Sequence, residues 1–122
     1  MIFAVPGHIE KIKAHTKTET RRRQSLNYKK GRLYSIQPKR TAAGIPDGKI
    51  LVLNKVLELK EKDYPISVES ALAEGGYTPE QYEVLYEKLN PGWHNRTAIK
   101  FDYVPSTIFK QVILADLPVE VI

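Results

Sequence analysis

The 122-residue sequence contains no cysteine, which excludes disulfide scaffolds, thiolate zinc sites and cysteine nucleophiles. Its apolar runs are a few residues long, and residues 1–6 lack the basic start and long apolar centre of a signal peptide. We therefore expect a cytoplasmic protein without a membrane partner. The three histidines have no paired metal-ligand spacing, and neither a Walker motif nor GxGxxG occurs, so we expect no metal and no cofactor.

The composition is that of a globular protein, with 42% hydrophobic and 27% charged residues. This length predicts a single domain over residues 1–122. The charge is unevenly distributed, because residues 1–50 carry a net charge of +9 and residues 51–122 a net charge of −4. A basic half of this kind favours a polyanionic partner such as RNA. The alternative is a solvated basic surface with no specific partner.

Hydrophobic patterning predicts an α+β fold in which strands dominate and helices are inserted in two places. A small mixed or antiparallel β-barrel with flanking α-helices is the architecture that we expect. The predicted strands are residues 2–5, 16–23, 32–37, 49–59 and 97–104, and the predicted helices are residues 7–14, 67–75 and 78–90.

The last two helices have clear start and stop signals. Ser67 is a capping residue for the first of them, and Gly75-Gly76 ends it. Thr78 and Gln81 have the spacing of a capping box at the start of the second.

Residues 15–23 contain one lysine, three threonines and three arginines. Arginine forks bind phosphates bidentately, and threonine hydroxyls can satisfy remaining oxygens. This pattern indicates anion recognition by Lys17, Arg21, Arg22 and Arg23. An edge strand protected by charge against pairing with other chains is the structural alternative.

Two segments carry a family resemblance: Lys17-Thr18-Glu19-Thr20-Arg21-Arg22, and the run Tyr-Lys-Lys-Gly-Arg-Leu-Tyr-Ser-Ile-Gln-Pro at residues 28–38. They resemble the ASCH domain family, relatives of the PUA RNA-binding domain. Later pieces at residues 48–50, 73–80 and 99–101 follow in the family's order, so the resemblance covers residues 2–104. It implies a PUA-like barrel with a cleft near the first helix, where a nucleotide or an RNA segment sits.

Two features depart from the family pattern. His15 stands where the family often has a glycine with positive φ, a conformation that histidine adopts less readily than glycine. Residues 105–122 lie beyond the resemblance and are apolar enough to pack on the barrel or at an oligomer interface. We expect packing on the barrel, and either a monomer or a homodimer.

Some ASCH proteins are amidohydrolases that deacylate N4-acetylcytidine with a lysine, a threonine and a glutamate. The resemblance implies Lys17 as base, Thr20 as nucleophile and Glu74 for proton transfer. In an extended strand Lys17 and Thr20 would point to opposite faces, so this chemistry requires Lys17 to lie in the preceding turn. Glu74 has an alternative interpretation as an exposed helix end, where a carboxylate opposes the helix dipole.

Other residues complete the predicted interface. By strand alternation Arg22 shares the face of Thr20, where it would bind phosphate or a carbonyl because it stays protonated. Aromatic residues that offer stacking surfaces for an unpaired base are Tyr34, for which core packing is favoured, Tyr77 and Trp93. Residues that could flank the same cleft, unless they are only loop charges, are Gln37, Lys39 and Arg40.

The preferred function is therefore binding of RNA or of a nucleotide. The second is hydrolysis of the amide bond of an N4-acylated cytidine, a modified nucleoside. A ribonuclease ranks third, because the sequence has no carboxylate cluster of the two-metal type. A non-catalytic adaptor remains the alternative to all three.

Overall fold

The computed structural model describes residues 1–24, 27–92 and 94–108. Four strands and four helices follow one another in an α+β arrangement. In chain order they are α1 (His8–Lys13), β1 (Glu19–Arg23), β2 (Leu33–Ser35), β3 (Gly48–Glu58), α2 (Lys60–Asp63), α3 (Val68–Gly75), α4 (Pro79–Leu89) and β4 (Arg96–Pro105).

The strands form one antiparallel sheet in the order β1-β4-β3-β2. Long strands β3 and β4 pair at its centre, with a register shift between Val52 and Asn54. The sheet is open over these residues, with β1 and β2 at its edges. The predicted α+β class is confirmed, and closure into a barrel stays a prediction.

One sheet face covers an apolar core. On β3 and β4, the fully buried Ile50, Val52 and Ile99 alternate with neighbours that are exposed or half-buried. Phe3 and Ile12 pack on them from the N-terminal segment and α1. Burial of these side chains from water is the main stabilisation on this face.

The other face carries charge. Arg21, Glu58 and Arg96 share it, since Arg96 lies opposite both Glu58 and Arg23 in the strand register. Helices α3 and α4 cover this face and bring a second, smaller cluster that includes Tyr82 and Tyr86.

The predicted helix caps are confirmed. The amide of Ser70 donates to Ser67 Oγ at 3.2 Å at the start of α3. At α4, Thr78 and Gln81 exchange both capping-box bonds, at 3.0 and 3.2 Å. Gly76 ends α3 in the left-handed region, with φ of 86°.

Several elements differ from the prediction, and the strand predicted for residues 32–37 is limited to Leu33–Ser35. Residues 2–5 do not form a full strand: they make one isolated parallel bridge, from Ile2 to Gln37, because the chain turns into α1 directly afterwards. The strand predicted for residues 16–23 begins only at Glu19. A single helical turn, α2, was not predicted, because four polar residues show no apolar periodicity.

The predicted C-terminal extension lies mostly outside the described residues, since only residues 105–108 of it are included. Over the parts of the chain that are described, no helix has both the length and the apolar character needed to cross a bilayer.

Candidate functional site

A cavity of about 330 Å³ lies along β1, at the edge of the sheet. Four consecutive residues of β1, Thr20 to Arg23, line it, so both faces of the strand contribute side chains. The other walls come from residues 2–5 and His8, from Glu74 of α3 and from one side of α4. Among the described residues no further strand pairs with the outer edge of β1, which leaves room for such a cavity.

Lys17 reaches the cavity from the turn between α1 and β1. His15 makes this turn possible with φ of 61°, in the left-handed region that the family's glycine would adopt. The amides of Thr16 and Lys17 both donate to the carbonyl of Lys11, at 2.9 and 3.1 Å, and so close the end of α1. The requirement that Lys17 precede the strand is therefore met.

The ammonium group of Lys17 is 2% exposed and donates three hydrogen bonds. Its acceptors are the carbonyl of Glu19 at 2.8 Å, the carbonyl of Glu74 at 2.7 Å and Glu74 Oε1 at 3.1 Å. Burial lowers the pKa of Lys17, and the Glu74 carboxylate opposes this shift. All three ammonium hydrogens thus have acceptors while the group is charged.

Glu74 is buried, with 1% of its surface exposed, so its interpretation as an exposed helix end is wrong. Its Oε1 accepts from Lys17, and its Oε2 accepts from Arg21 Nη1 at 2.8 Å. Lysines also neutralise the negative end of α3, because Lys17 binds the carbonyl of Glu74 and Lys11 binds that of Gly75 at 2.6 Å. These cations explain how a carboxylate is tolerated at a helix C-terminus.

Thr20 and Arg22 form a second polar pair in the cavity. Arg22 Nε donates to Thr20 Oγ1 at 3.3 Å, which confirms that the two side chains share a face. Arg22 Nη2 donates to the carbonyl of Ile2 at 2.5 Å, and its guanidinium carbon lies 4.8 Å from the centre of the Phe3 ring. Burial lowers the pKa of Arg22, yet a guanidinium remains protonated at neutral pH.

His8 lines the cavity beside these cations. Its Nε2 lies 2.6 Å from the hydroxyl of Tyr77, and the side chain is buried. Burial, together with the charges of Lys17, Lys11 and Arg22, lowers the pKa of His8 to about 4. The imidazole is therefore neutral at pH 7.

The three arginines that the sequence groups together are placed differently. Arg21 is buried between Glu58 and Glu74, with bonds of 2.8 to 2.9 Å to both carboxylates. Arg22 stands inside the cavity beside Thr20. Arg23 is exposed at the cavity edge, where its Nη2 donates to the carbonyl of Pro91 at 3.4 Å.

The predicted flanking residues stand apart from the cavity wall. Gln37 faces the N-terminal segment, with Nε2 donating to the carbonyl of Ala42 at 2.8 Å and Oε1 accepting from the Met1 amine at 3.5 Å. Lys39 and Arg40 are exposed in the following turn. Gln37 forms a parallel β-bridge with Ile2, which lines the cavity, and this turn follows Gln37 along the chain.

The three aromatic residues predicted as stacking surfaces have different surroundings. Tyr34 packs edge-on against Tyr28 at 4.9 Å and against the apolar core, as core packing predicts. Tyr77 holds His8. Trp93 lies outside the described residues.

Sequence reasoning missed three residues that line or support the site. His8 has no motif spacing, and only its position at the start of a helix before the basic motif could have suggested it. Tyr82 is buried and lines the cavity, whereas helical spacing by itself indicates only an apolar face of α4. Glu58 was not singled out, because its partner Arg21 is 37 positions away.

The fold and the cavity together define an α+β domain with a charged cavity at the sheet edge. No family model and no curated protein matches this sequence. Two crystal structures of mutant ZmASCH proteins from Zymomonas mobilis are similar to it. The serine-to-alanine mutant has a TM-score of 0.59 and 18% identity, over 85% of this chain and 68% of that one.

The tyrosine-to-phenylalanine mutant has a TM-score of 0.56 and 15% identity, over 91% of this chain and 78% of that one. Identity this low carries information on the fold alone. The fold of this chain is therefore that of an ASCH domain, which confirms the resemblance at the level of structure.

Proposed function

We propose that the protein binds a nucleotide, or an unpaired base of RNA, in the cavity at the edge of β1. The observation that carries this proposal is the convergence of Lys17, Thr20, Arg22 and Glu74 in one cavity that also has apolar and aromatic walls. A volume of about 330 Å³ lies at the small end of the range for ligand pockets, which suits one nucleotide better than a duplex. Unpaired bases are what proteins read most often in RNA.

The phosphate groups are assigned to the cations that lie at or beside the cavity. Arg22 and Arg23 line it, and Lys39 and Arg40 are exposed two and three residues after Gln37, which bridges to Ile2 of the cavity wall. Arg21 has two carboxylate partners, so the proposal assigns it to holding Glu74. Each phosphate contact releases counterions, and binding should therefore weaken steeply with salt.

Titration with cytidine 5′-monophosphate and with a short single-stranded RNA tests this assignment. Lys39→Ala and Arg40→Ala should each lower the salt slope for RNA by about one and leave mononucleotide binding unchanged. Lys62→Ala, on exposed α2, is the matched control and should change neither. Equal RNA affinity and equal slope in all three variants would contradict the proposed path of the RNA backbone.

Hydrolysis of an N4-acylated cytidine is the second candidate, and the Thr20 environment favours it. Arg22 Nε donates to Thr20 Oγ1 at 3.3 Å, and a guanidinium donor stabilises a hydroxyl oxygen as it becomes an alkoxide. In this reaction Thr20 Oγ attacks the acyl carbon and its proton passes to Lys17 or Glu74. The C–N bond then breaks as the departing amine takes a proton, and water cleaves the threonine ester to release the carboxylate.

Lys17 needs a neutral amine to act as the base. Its three hydrogen bonds favour the ammonium form, whereas burial lowers its pKa towards the neutral form. Entry of a substrate that displaces one acceptor would shift this balance towards the amine. Glu74, bound to both Lys17 and Arg21, is the other proton acceptor in reach of the ammonium group.

Cytidine release from N4-acetylcytidine separates the two candidates. Thr20→Ala should abolish turnover, while Thr20→Ser keeps a hydroxyl and should retain part of it. Turnover that survives in Thr20→Ala would rule out Thr20 as the nucleophile. If the wild-type protein binds cytidine nucleotides but shows no turnover, the hydrolase candidate fails and the binding function remains.

A further inference from the structure

Six buried or partly buried side chains of alternating charge form a series of ion pairs that runs from the cavity to α4. The ion pairs that join them measure 2.7 to 3.1 Å. In order they are Lys17, Glu74, Arg21, Glu58, Arg96 and Glu83. The first three line the cavity and the last three do not.

Arg21 is held by a two-point contact on the side away from the cavity. Its Nε and Nη2 donate to Glu58 Oε1 and Oε2, both at 2.9 Å. This fork fixes the plane of the guanidinium group. The remaining nitrogen, Nη1, donates to Glu74 Oε2 at 2.8 Å and lies 3.7 Å from Glu19 Oε2.

Glu58 is itself held by Arg96. Arg96 Nε donates to Glu58 Oε1 at 2.8 Å, and Nη1 and Nη2 donate to the two oxygens of Glu83 at 2.7 and 2.8 Å. The Arg96 guanidinium also lies 3.4 Å from the centre of the Tyr64 ring. Arg96 is fully buried, and its two-point contact with Glu83, its single bond to Glu58 and the stacked ring together fix its orientation.

The strands and helices that carry these ion pairs explain why a change at one residue can alter the position of another. Glu58 ends β3 and Arg96 begins β4, directly opposite each other in the sheet. Glu83 is on α4, and Glu74 is on α3. Both helices that cover this sheet face are therefore joined to the sheet by the same series of ion pairs.

Stability alone is a poor explanation for this series of buried ion pairs. Desolvation of buried charges offsets most of their attraction, and apolar replacements of whole buried ion pairs are often neutral or stabilising. Burial raises the pKa of Glu58, but the guanidinium groups of Arg21 and Arg96 outweigh it and hold that pKa below its ordinary value. What an apolar replacement could not do is hold the Glu74 carboxylate in one place.

We infer that Glu58 and Arg96 are positioning residues, which act through Arg21 to fix the Glu74 carboxylate within the cavity. The effect on turnover rests on the proposed hydrolase function, whereas the effect on Glu74 itself does not.

Glu58→Gln tests this inference because it keeps the shape of the side chain and removes its charge. Two quantities are measured, the ¹³C shift of the Glu74 side-chain carboxyl and the kinetics of N4-acetylcytidine hydrolysis. We expect the Glu74 signal to move and kcat to fall about tenfold or more, since small misplacements of reacting groups have effects of this size. KM should stay within about twofold, because Glu58 does not line the cavity.

Two controls separate positioning from stability. Glu61→Gln makes the same chemical change on exposed α2 and should alter neither quantity. Ile50→Val weakens the apolar core on the opposite face and should also leave both unchanged. A Glu74 signal that responds to Ile50→Val as strongly as to Glu58→Gln would overturn the inference.

The outcomes distinguish this inference from the proposed function. If wild-type protein has no turnover, the hydrolase candidate fails and the carboxyl signal alone decides positioning. An unmoved Glu74 signal in Glu58→Gln overturns the inference whatever the kinetics. If Glu58→Gln does not fold, Glu83→Gln replaces it: its side chain is 20% exposed, and by loosening Arg96 it should move the same signal by a smaller amount.

Discussion

The two faces of the central sheet are buried by different physical means. On one face, fully buried Ile50, Val52 and Ile99 pack with Phe3 and Ile12. On the other, Arg96 is equally buried but is surrounded by two carboxylates and a tyrosine ring. The apolar face is stabilised by the area removed from water, which is non-directional. The ionic face depends on complete pairing, and its directionality is what places side chains in the cavity.

The largest effect should follow from breaking the ionic face. Arg96→Met leaves Glu58 and Glu83 without their shared partner, and we expect unfolding free energy to fall by about 3–5 kcal/mol. Urea denaturation measures this. Glu58 keeps its contact with Arg21, so adding Glu83→Gln to Arg96→Met removes the charge that has lost its cation and should recover part of the loss. A loss in Arg96→Met below that of a single methyl deletion in the apolar core would contradict the comparison.

Acid should lower the free energy of unfolding through the protonation of His8. The folded state lowers the pKa of His8 from 6.5 to about 4, so between these values the unfolded chain binds a proton that the folded chain does not. Stability therefore decreases as the pH falls from 6.5 towards 4, by a total of about 3 kcal/mol from this group.

Unfolding of wild type and His8→Gln in urea across this pH window isolates the contribution of His8. The variant has no imidazole to titrate, so its stability should change less with pH. Parallel curves for the two proteins would show that His8 carries no such linkage.

A methyl deletion in the apolar core should have a smaller effect. Ile50→Val removes one methyl group from a fully buried site, and we expect a loss of about 1 kcal/mol. The midpoint of urea unfolding should shift with an unchanged slope. A loss as large as that of Arg96→Met would remove the distinction between the two faces.

The smallest effect should come from a charge pair at the surface. Lys13 Nζ and Asp47 Oδ2 lie 2.7 Å apart in a partly exposed pair, and solvent and salt screen such pairs. Lys13→Ala should therefore cost less than Ile50→Val, and the difference from wild type should shrink as salt is added. A salt-independent loss comparable with that of Arg96→Met would show that exposure does not separate the two kinds of ion pair.

Local sequence signals predicted the elements that local interactions determine. The caps at Ser67 and Thr78 and the stop at Gly76 formed as expected, because their hydrogen bonds join residues three to five positions apart. Alternation likewise placed Arg22 on the face of Thr20. The single bridge at Ile2 was not foreseeable, because a four-residue apolar run does not reveal how many of its backbone groups find partners.

The sequence by itself determined the ASCH-like order of elements and the basic segment that holds Lys17 and Thr20, since both are matters of composition and short-range spacing. Only the tertiary structure decided that Arg21 faces carboxylates while Arg22 faces the cavity, and that Glu74 is buried. The physical reason is distance along the chain. Arg21 meets Glu58 and Glu74 across 37 and 53 positions, and only the packing of helices α3 and α4 on the sheet brings those charges together.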